Sequence, residues 1–214
     1  MGKYKNSQPG GPVGRWGDYV TYYRLGKLTT RRVSKPTKFT DAQLSNQMGT
    51  ALITFLLGPV QDFVKVSMKN SPKDPGWSAY NLASSVNKLG AITGSYPNKA
   101  VDFKKVVLSI GDIPAPLNPQ VSLTDNKISF TWEADLDTEG CDENDQIMCV
   151  AYLPETLQAF KIFHGAYRTE ERQIVPLPAN SGEMVIETYL CFTSADRERV
   201  SNSVYTGPLV WDKQ

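Results

Sequence analysis

The sequence predicts an α+β protein in which an extended arm with a β-hairpin and a helical segment precede an immunoglobulin- or fibronectin-like β-sandwich. Three observations predict this fold. A β-prone run near the start splits around a Leu-Gly pair, the next part carries apolar side chains at helical spacing, and seven short β-prone segments follow. We therefore divide the chain into a basic extended arm and hairpin (residues 1–38), a helical segment with one or two strands (39–116) and the sandwich (117–214).

The charge of the chain is unevenly distributed. Its 214 residues can bury a real core, and 40% hydrophobic with 21% charged residues is ordinary for a folded protein. The net charge of +1 conceals a basic start, because residues 1–38 contain nine Lys and Arg residues against one Asp. Residues 133–145 contain seven carboxylates and neither Lys nor Arg. The sequence therefore predicts a basic arm and an acidic loop.

The arm is predicted to be extended at first and then to form a hairpin. Residues 6–14 are rich in Gly and Pro, which favour turns over helix. The β-prone runs Asp18–Arg24 and Lys27–Val33 flank Leu25 and Gly26, which predicts a two-residue hairpin turn. Because an isolated hairpin is marginal in water, it needs a surface from its own chain or from a neighbour. Alternation divides the adhesive side chains between two faces: Trp16, Val20 and Tyr22 on one, Tyr19, Thr21 and Tyr23 on the other.

The helical segment is predicted to contain two helices. Thr40 and Gln43 have the spacing of a capping box at the start of the first. Gly58 and Pro59 should kink or end that helix, and a second one is predicted from about Ser78 to Leu89. Apolar side chains recur at helical spacing in the first helix and beyond its break: Leu44, Met48, Leu52, Phe55 and Leu56, then Val60, Phe63, Val64 and Met68.

The sandwich prediction rests on seven short β-prone segments separated by turn signals. Trp132 and Tyr189 stand where such a sandwich keeps buried aromatic side chains. The Cys…Trp…Cys spacing of antibody domains is absent, so the prediction concerns the wider architecture. Cys141, Cys149 and Cys191 lack metal-binding spacing and are interpreted as reduced thiols, with a Cys149–Cys191 disulfide as the less favoured alternative.

No motif in the sequence indicates catalysis, a cofactor or a metal. The single histidine, His164, ends a predicted strand without a nucleophile motif, so a bystander is preferred to a hydrolase base. Asp135, Asp137 and Glu139 imitate the start of a calcium loop, but Gln146 stands where a bidentate Glu would be needed. A solvated loop is therefore preferred to a calcium site or a contact for a neighbouring subunit's basic patch. We predict no enzymatic activity and no cofactor.

The sequence also predicts no membrane segment. The opening MGKYK lacks the apolar region of a secretory signal. The longest apolar run, residues 51–60, is too short to span a membrane and contains Gly-Pro. We expect a protein made in a cytoplasm without a secretion signal.

Cations and aromatic rings interleave in the arm, which predicts a binding surface. These residues can add a strand and salt bridges to a protein partner, or neutralise phosphates and stack on bases. The remainder of the chain is net acidic and has no nucleic-acid-binding signature, so a protein partner is preferred. A hairpin packed on its own helices is the third interpretation. The candidate partner-binding residues are Arg15, Trp16, Tyr19, Tyr22, Tyr23, Arg24, Lys27, Arg31 and Arg32.

Several segments carry a family resemblance: MGKYKN with the spaced Gly11-x-x-Gly14-Arg15-x-Gly17, then AQLSNQMGTALITFLLGPVQDFVKVSMKN, and finally YLCFTSADRERVSNSVYTG. Together they resemble an uncharacterised, bacterial and prophage-associated family over nearly the whole chain. The resemblance implies a helical N-terminal half, an immunoglobulin-like C-terminal half and no assigned catalytic residues. We predict a multi-copy structural protein of a phage virion, such as a capsid decoration, head-fibre anchor or tail or neck part. The alternative is a nucleic-acid-binding accessory protein.

Overall fold

The computed structural model describes residues 13–33, 38–72, 76–179 and 182–212. The chain divides into two compact units, the first ending at Gln43 and the second beginning at Leu44. Of the Gly- and Pro-rich stretch predicted to be extended, residues 6–12 lie outside the described residues.

The first unit contains a three-stranded antiparallel sheet in the order β1-β2-β3, formed by β1 (Gly14–Trp16), β2 (Tyr19–Arg24) and β3 (Lys27–Arg32). The predicted hairpin is confirmed, since β2 and β3 pair around Leu25 and Gly26. Both turn residues have positive φ, +49° and +77°, which gives the turn a twist that matches the strands. Glycine adopts this conformation freely, whereas leucine does so at a steric cost.

Three helices follow: α1 (Asp41–Leu57), α2 (Gln61–Ser67) and α3 (Ala79–Gly90). The capping box is confirmed, because the Thr40 N–H donates to Gln43 Oε1 at 3.0 Å and the Gln43 N–H donates to Thr40 Oγ1 at 3.3 Å. The break at Gly58 and Pro59 is confirmed as well. Of the helices in the described ranges, none is long and apolar enough to cross a membrane.

The buried face of α1 differs from the predicted stripe. Its buried residues are Gly49, Ile53, Leu56 and Leu57. The predicted residues Leu44, Met48 and Leu52 are only half-buried, and Phe55 is 56% exposed. The helix carries two apolar stripes side by side, and the core takes the one that includes Leu56.

After the helices come a short ribbon, β4 (Ile92–Thr93) with β5 (Ala100–Val101), and seven longer strands. Each of the seven predicted β-prone segments overlaps one of these strands; the segments are QVSLTD, KISFTWEA, QIMCVAYL, AFKIFHGA, QIVPLP, MVIETYLCFTSA and SNSVYTGPLVW. All of their pairings are antiparallel. The strands are β6 (Leu117–Thr124), β7 (Lys127–Glu133), β8 (Gln146–Leu153), β9 (Gln158–Ile162), β10 (Arg172–Pro176), β11 (Met184–Thr193) and β12 (Val204–Trp211).

The seven strands form a three-stranded sheet, β10-β7-β6, and a four-stranded sheet, β12-β11-β8-β9. One apolar cluster joins residues of both sheets. In it the Trp132 ring meets the Phe192 ring edge-on, with 5.7 Å between centroids. Trp132 is therefore a buried aromatic residue of the shared core, as predicted.

The four-stranded sheet is buried on both faces. Alternate residues of β8, such as Met148, Val150 and Tyr152, belong to a second apolar cluster that also contains helical residues such as Leu57 and Phe63. Tyr189 is buried in this helical cluster, so its predicted place among the sandwich aromatics is wrong. Its hydroxyl donates to the Phe103 carbonyl at 2.8 Å. The helices thus pack on the sheet within one compact unit.

The register of β8 and β11 excludes the alternative disulfide. Cys149 pairs with Leu190, whereas Cys191 pairs with Met148, so the two cysteines are offset by one residue. Neighbouring residues of a strand project to opposite faces. Cys149 accordingly lies in the cluster between the sheets and Cys191 in the helical cluster, and both are free thiols.

Candidate interaction surface

The strand register divides the arm sheet into two faces. Directly paired residues of neighbouring strands project from the same side of a sheet. Arg15 pairs with Val20, and Val20 pairs with Arg31. The cationic face consists of Arg15, Val20, Tyr22, Arg24, Lys27, Thr29 and Arg31. The aromatic face consists of Tyr19, Thr21, Tyr23, Leu28, Thr30 and Arg32.

This division agrees with the predicted alternation along β2, which separates Tyr22 from Tyr19 and Tyr23. It disagrees at Trp16. A two-residue turn at Gly17 and Asp18 folds β1 back, and the backbone of Trp16 pairs with Tyr19. The register therefore contradicts the predicted grouping of Trp16 with Val20 and Tyr22. The Trp16 side chain lies outside the described part of the structure.

The cationic face concentrates positive charge without opposing charge. Arg15, Arg24, Lys27 and Arg31 are exposed, and within the described ranges none forms an ion pair. Arg24 lies directly opposite Lys27 beside the hairpin turn. Like charges in this position repel each other, which destabilises the hairpin. An anionic partner on this face would relieve the repulsion.

The aromatic face exposes apolar surface instead. Tyr23 is 58% exposed, and Tyr19 and Leu28 are also exposed. Arg32 forms an ion pair with Asp18 at 3.6 Å, but both side chains are exposed, so the pair stabilises the sheet little. Tyrosine and arginine are the residues that protein interfaces favour. The predicted binding residues are therefore split between two surfaces of different character.

The sheet also has an open edge at β3. In the described sheet, β3 pairs with β2 on one side only. Such an edge offers unpaired backbone groups to an incoming strand. Lys27, Arg31 and Arg32 place three positive charges on it, and these disfavour pairing with another basic strand. A strand added to this edge would therefore pair more favourably if it were acidic or neutral.

The acidic loop, residues 133–145, uses some of its carboxylates in turns. Asp135 accepts the Thr138 N–H at 3.1 Å, and Asp142 accepts the Asn144 N–H at 2.8 Å. Hydrogen bonds lower the pKa of both carboxyl groups, that of Asp135 chiefly through the Thr138 side chain and that of Asp142 chiefly through the Asn144 backbone N–H. In the described part of the chain, no group of three or more His, Cys, Asp or Glu side chains is placed to hold a metal ion. Asp135, Asp137 and Glu139 consequently do not converge as a calcium loop would require.

The end of this loop is anchored by a buried ion pair that sequence reasoning missed. Asp145 is 2% exposed and Arg168 is fully buried. Asp145 Oδ2 accepts from Arg168 Nη2 at 3.0 Å and from its Nε at 3.2 Å. The guanidinium carbon lies 3.9 Å from the centre of the Phe192 ring. The prediction of a solvated loop is therefore wrong at Asp145.

His164 and the two buried cysteines occupy different environments. His164 is exposed just after β9, whereas Cys149 and Cys191 are buried within the second unit. Burial raises the pKa of both thiols, that of Cys191 to about 12. A thiol that stays protonated at neutral pH is a poor nucleophile.

A cleft of about 380 Å³ lies beside the end of α2 in the second unit. Lys69 pairs with Glu198 at 3.3 Å and Arg199 pairs with Asp112 at 3.2 Å. Arg197, also in the lining, donates to the Phe163 carbonyl at 2.8 Å. Ser67, at its wall, donates to the Leu108 carbonyl at 2.6 Å. The charged side chains of the cleft are thus engaged with partners from the chain itself.

No curated protein matches the sequence. Residues 10–207 match DUF6266, a family of unknown function. This match spans the described strands and helices from β1 into β12.

Proposed function

Because the chain belongs to the DUF6266 family of unknown function, we propose from its geometry that it is a non-enzymatic structural assembly protein that docks onto other protein subunits through its arm. The observation that carries this proposal is the cationic face, on which four exposed cations lack ion-pair partners among the described residues. A protein that folds alone gains nothing from placing Arg24 opposite Lys27. A partner with acidic groups would form ion pairs with these cations, which would stabilise the complex and favour that partner over others.

The second unit supplies the module that the arm would attach. In this proposal its two sheets form an immunoglobulin- or fibronectin-like sandwich. Seven antiparallel strands in a three-plus-four arrangement support that class, as does the placement of the hairpins β6–β7 and β8–β9 in different sheets. The assembly in this proposal is a phage virion built in a bacterial cytoplasm. Capsid decoration, a head-fibre anchor and a tail or neck part are the candidate positions.

A nucleic-acid-binding accessory protein is the alternative, and the placement of the tyrosines weighs against it. Phosphate neutralisation and base stacking act best from one surface. Of the three tyrosines in β2, Tyr22 alone shares the cationic face, since Tyr19 and Tyr23 belong to the other. DNA affinity that falls steeply with salt, and that Arg31→Ala weakens, would favour this alternative.

Deletion of residues 1–38 tests the docking role. The deletion retains Thr40 and thus the capping box of α1. We expect the shortened protein to keep the circular dichroism and cooperative unfolding of the second unit, and to be absent from purified phage particles analysed by mass spectrometry. Unfolding of the shortened protein would instead assign the arm to the core, and its normal incorporation would refute docking through the arm.

A full-length variant isolates the role of charge. Arg24→Ala, Lys27→Ala and Arg31→Ala together remove three cations from the cationic face. The matched control removes three exposed lysines of the second unit, Lys65→Ala, Lys104→Ala and Lys127→Ala. We expect only the first variant to lose incorporation by tenfold or more, and equal losses in both would contradict the proposal.

A further inference from the structure

We propose that the cationic face of one copy binds the acidic loop of a second copy of this chain at residues 133–143, so that the protein associates head to tail with itself. This inference rests on the proposed function, because it names the partner of the arm. Since the two contacting surfaces differ, one copy of a pair keeps its acidic loop free and the other keeps its cationic face free for further copies. Such association produces rings or open chains, which suits a multi-copy component.

The acidic loop carries exposed negative charges, which are the counterions that the cationic face lacks. It joins β7 to β8, and five of its carboxylates are exposed. None of the five forms an ion pair with a described Lys, Arg or His. The exposed carboxylates are Glu133, Asp137, Glu139, Asp142 and Glu143.

Charge complementarity is thus built into one chain. Four cations on the cationic face and five carboxylates on the loop have no ion-pair partner within the described ranges. The net charge of the whole chain is only +1. Two copies that join these surfaces therefore neutralise both without leaving a large net charge. The cationic edge strand β3 adds a second reason, because it repels the basic hairpin of another copy and admits an acidic segment.

The contact also has an apolar centre. Leu136 is 47% exposed in the middle of the acidic loop. Val20 and Tyr22 lie between the cations of the cationic face. Apolar contacts surrounded by charged groups are typical of specific protein interfaces. Leu136 of one copy can accordingly pack against Tyr22 of the next, while the surrounding charges fix the orientation.

An ion pair and hydrogen bonds at the base of the acidic loop restrict its conformation. The Arg168 guanidinium binds Asp145, and Asp145 in turn accepts the Asp142 N–H at 3.2 Å. The backbone N–H of Arg168 also donates to the Asp145 carbonyl at 2.8 Å. A loop fixed in this way loses less conformational entropy when it binds than a free one.

Two charge-reversed variants test the proposal. The arm variant carries Arg24→Glu and Lys27→Glu, and the loop variant carries Asp137→Lys and Glu139→Lys. We expect the wild-type protein to associate in low salt and to dissociate as salt rises, as measured by sedimentation velocity. Each variant alone should associate at least tenfold more weakly, because the arm variant leaves its cationic face with no net charge and the loop variant leaves its exposed loop charges at only −1. An equimolar mixture of the two should regain association, since the unchanged cationic face of the loop variant meets the unchanged acidic loop of the arm variant.

Regained association in the mixture also demonstrates that both variants are folded. The matched control reverses two exposed charges elsewhere, Lys65→Glu with Glu155→Lys, and should associate like the wild type. A wild-type protein that is monomeric at all concentrations would overturn the proposal. A mixture that stays dissociated would overturn it as well, including the case in which the arm and the loop meet only within one chain.

The same variants separate this inference from the proposed function. If the wild type is monomeric but the arm variant fails to enter particles, self-association is refuted and docking on another protein stands. If the mixture associates as expected but the arm variant enters particles normally, self-association stands and arm-dependent docking in the particle is refuted.

Discussion

At the scale of single residues, the buried pair of Asp145 and Arg168 is the most sensitive point of the second unit. Both charges are out of water, and removing one leaves the other without compensation. We expect Asp145→Asn to lower the free energy of unfolding by about 3–5 kcal/mol. Guanidinium denaturation followed by tryptophan fluorescence will measure this, since the Trp132 indole N–H donates to the Arg168 carbonyl at 2.8 Å.

The matched control for this pair is Asp137→Asn in the same loop. Asp137 is exposed and has no ion-pair partner among the described residues, so the change should stay within about 0.5 kcal/mol. Equal losses in both variants would show that Asp145 contributes no more than a surface carboxylate.

The sequence predicted contacts correctly where the interacting residues are close to each other along the chain. Thr40 and Gln43 are three positions apart, and Leu25 and Gly26 are adjacent, so spacing alone indicated the cap and the turn. Asp145 and Arg168 are 23 positions apart. Each stands in a charged stretch that is typical of solvent-exposed surface, so nothing in the sequence indicated that they meet in the core.

At the scale of the element, α1 shows how two apolar stripes compete for the core. The helix has one charged residue, Asp41, so hydrophobic spacing did not decide which stripe is buried. The sequence assigned Phe55 and Leu56 to one stripe, and the structure separates them. The seven strands of the second unit were easier to predict because turn signals limit each of them.

This difference in burial predicts that truncating Leu57 lowers the free energy of unfolding more than truncating Phe55 does. Leu57 is fully buried against α2 and the four-stranded sheet, so Leu57→Ala should destabilise the protein by about 2–5 kcal/mol. Phe55 is mostly exposed, and Phe55→Ala should cost less than about 1 kcal/mol. Urea denaturation of both variants provides the comparison. A loss for Phe55→Ala as large as that for Leu57→Ala would mean that this side of α1 is covered in solution.

At the scale of the second unit as a whole, the four-stranded sheet is the layer shared by both cores. Strands β8 and β11 are buried along nearly their entire length. The sequence carried a signal for this, because QIMCVAYL is a nearly continuous apolar run, as expected for a strand covered on both faces. We predicted the helices as a separate segment, since no local feature indicates which face of a distant sheet a helix will cover.

Double burial also makes the second unit sensitive to alkaline pH. Burial raises the pKa of Cys191 to about 12 and raises the pKa of Cys149 and Tyr189 further. In the unfolded chain the thiols ionise near 9.0 and the phenol near 10.0. The folded protein keeps these protons, so its stability is fully present below pH 9 and falls as the pH rises, by about 1.4 kcal/mol per pH unit for each group. We expect Cys191→Ala to remove one such contribution from the slope of unfolding free energy against pH, measured with reductant between about pH 8 and 11.

Cys141→Ala is the matched control and should change the slope less, because Cys141 is only half-buried. If Cys191→Ala and the wild type lose stability at the same rate above pH 9, Cys191 does not retain its proton in the folded sheet.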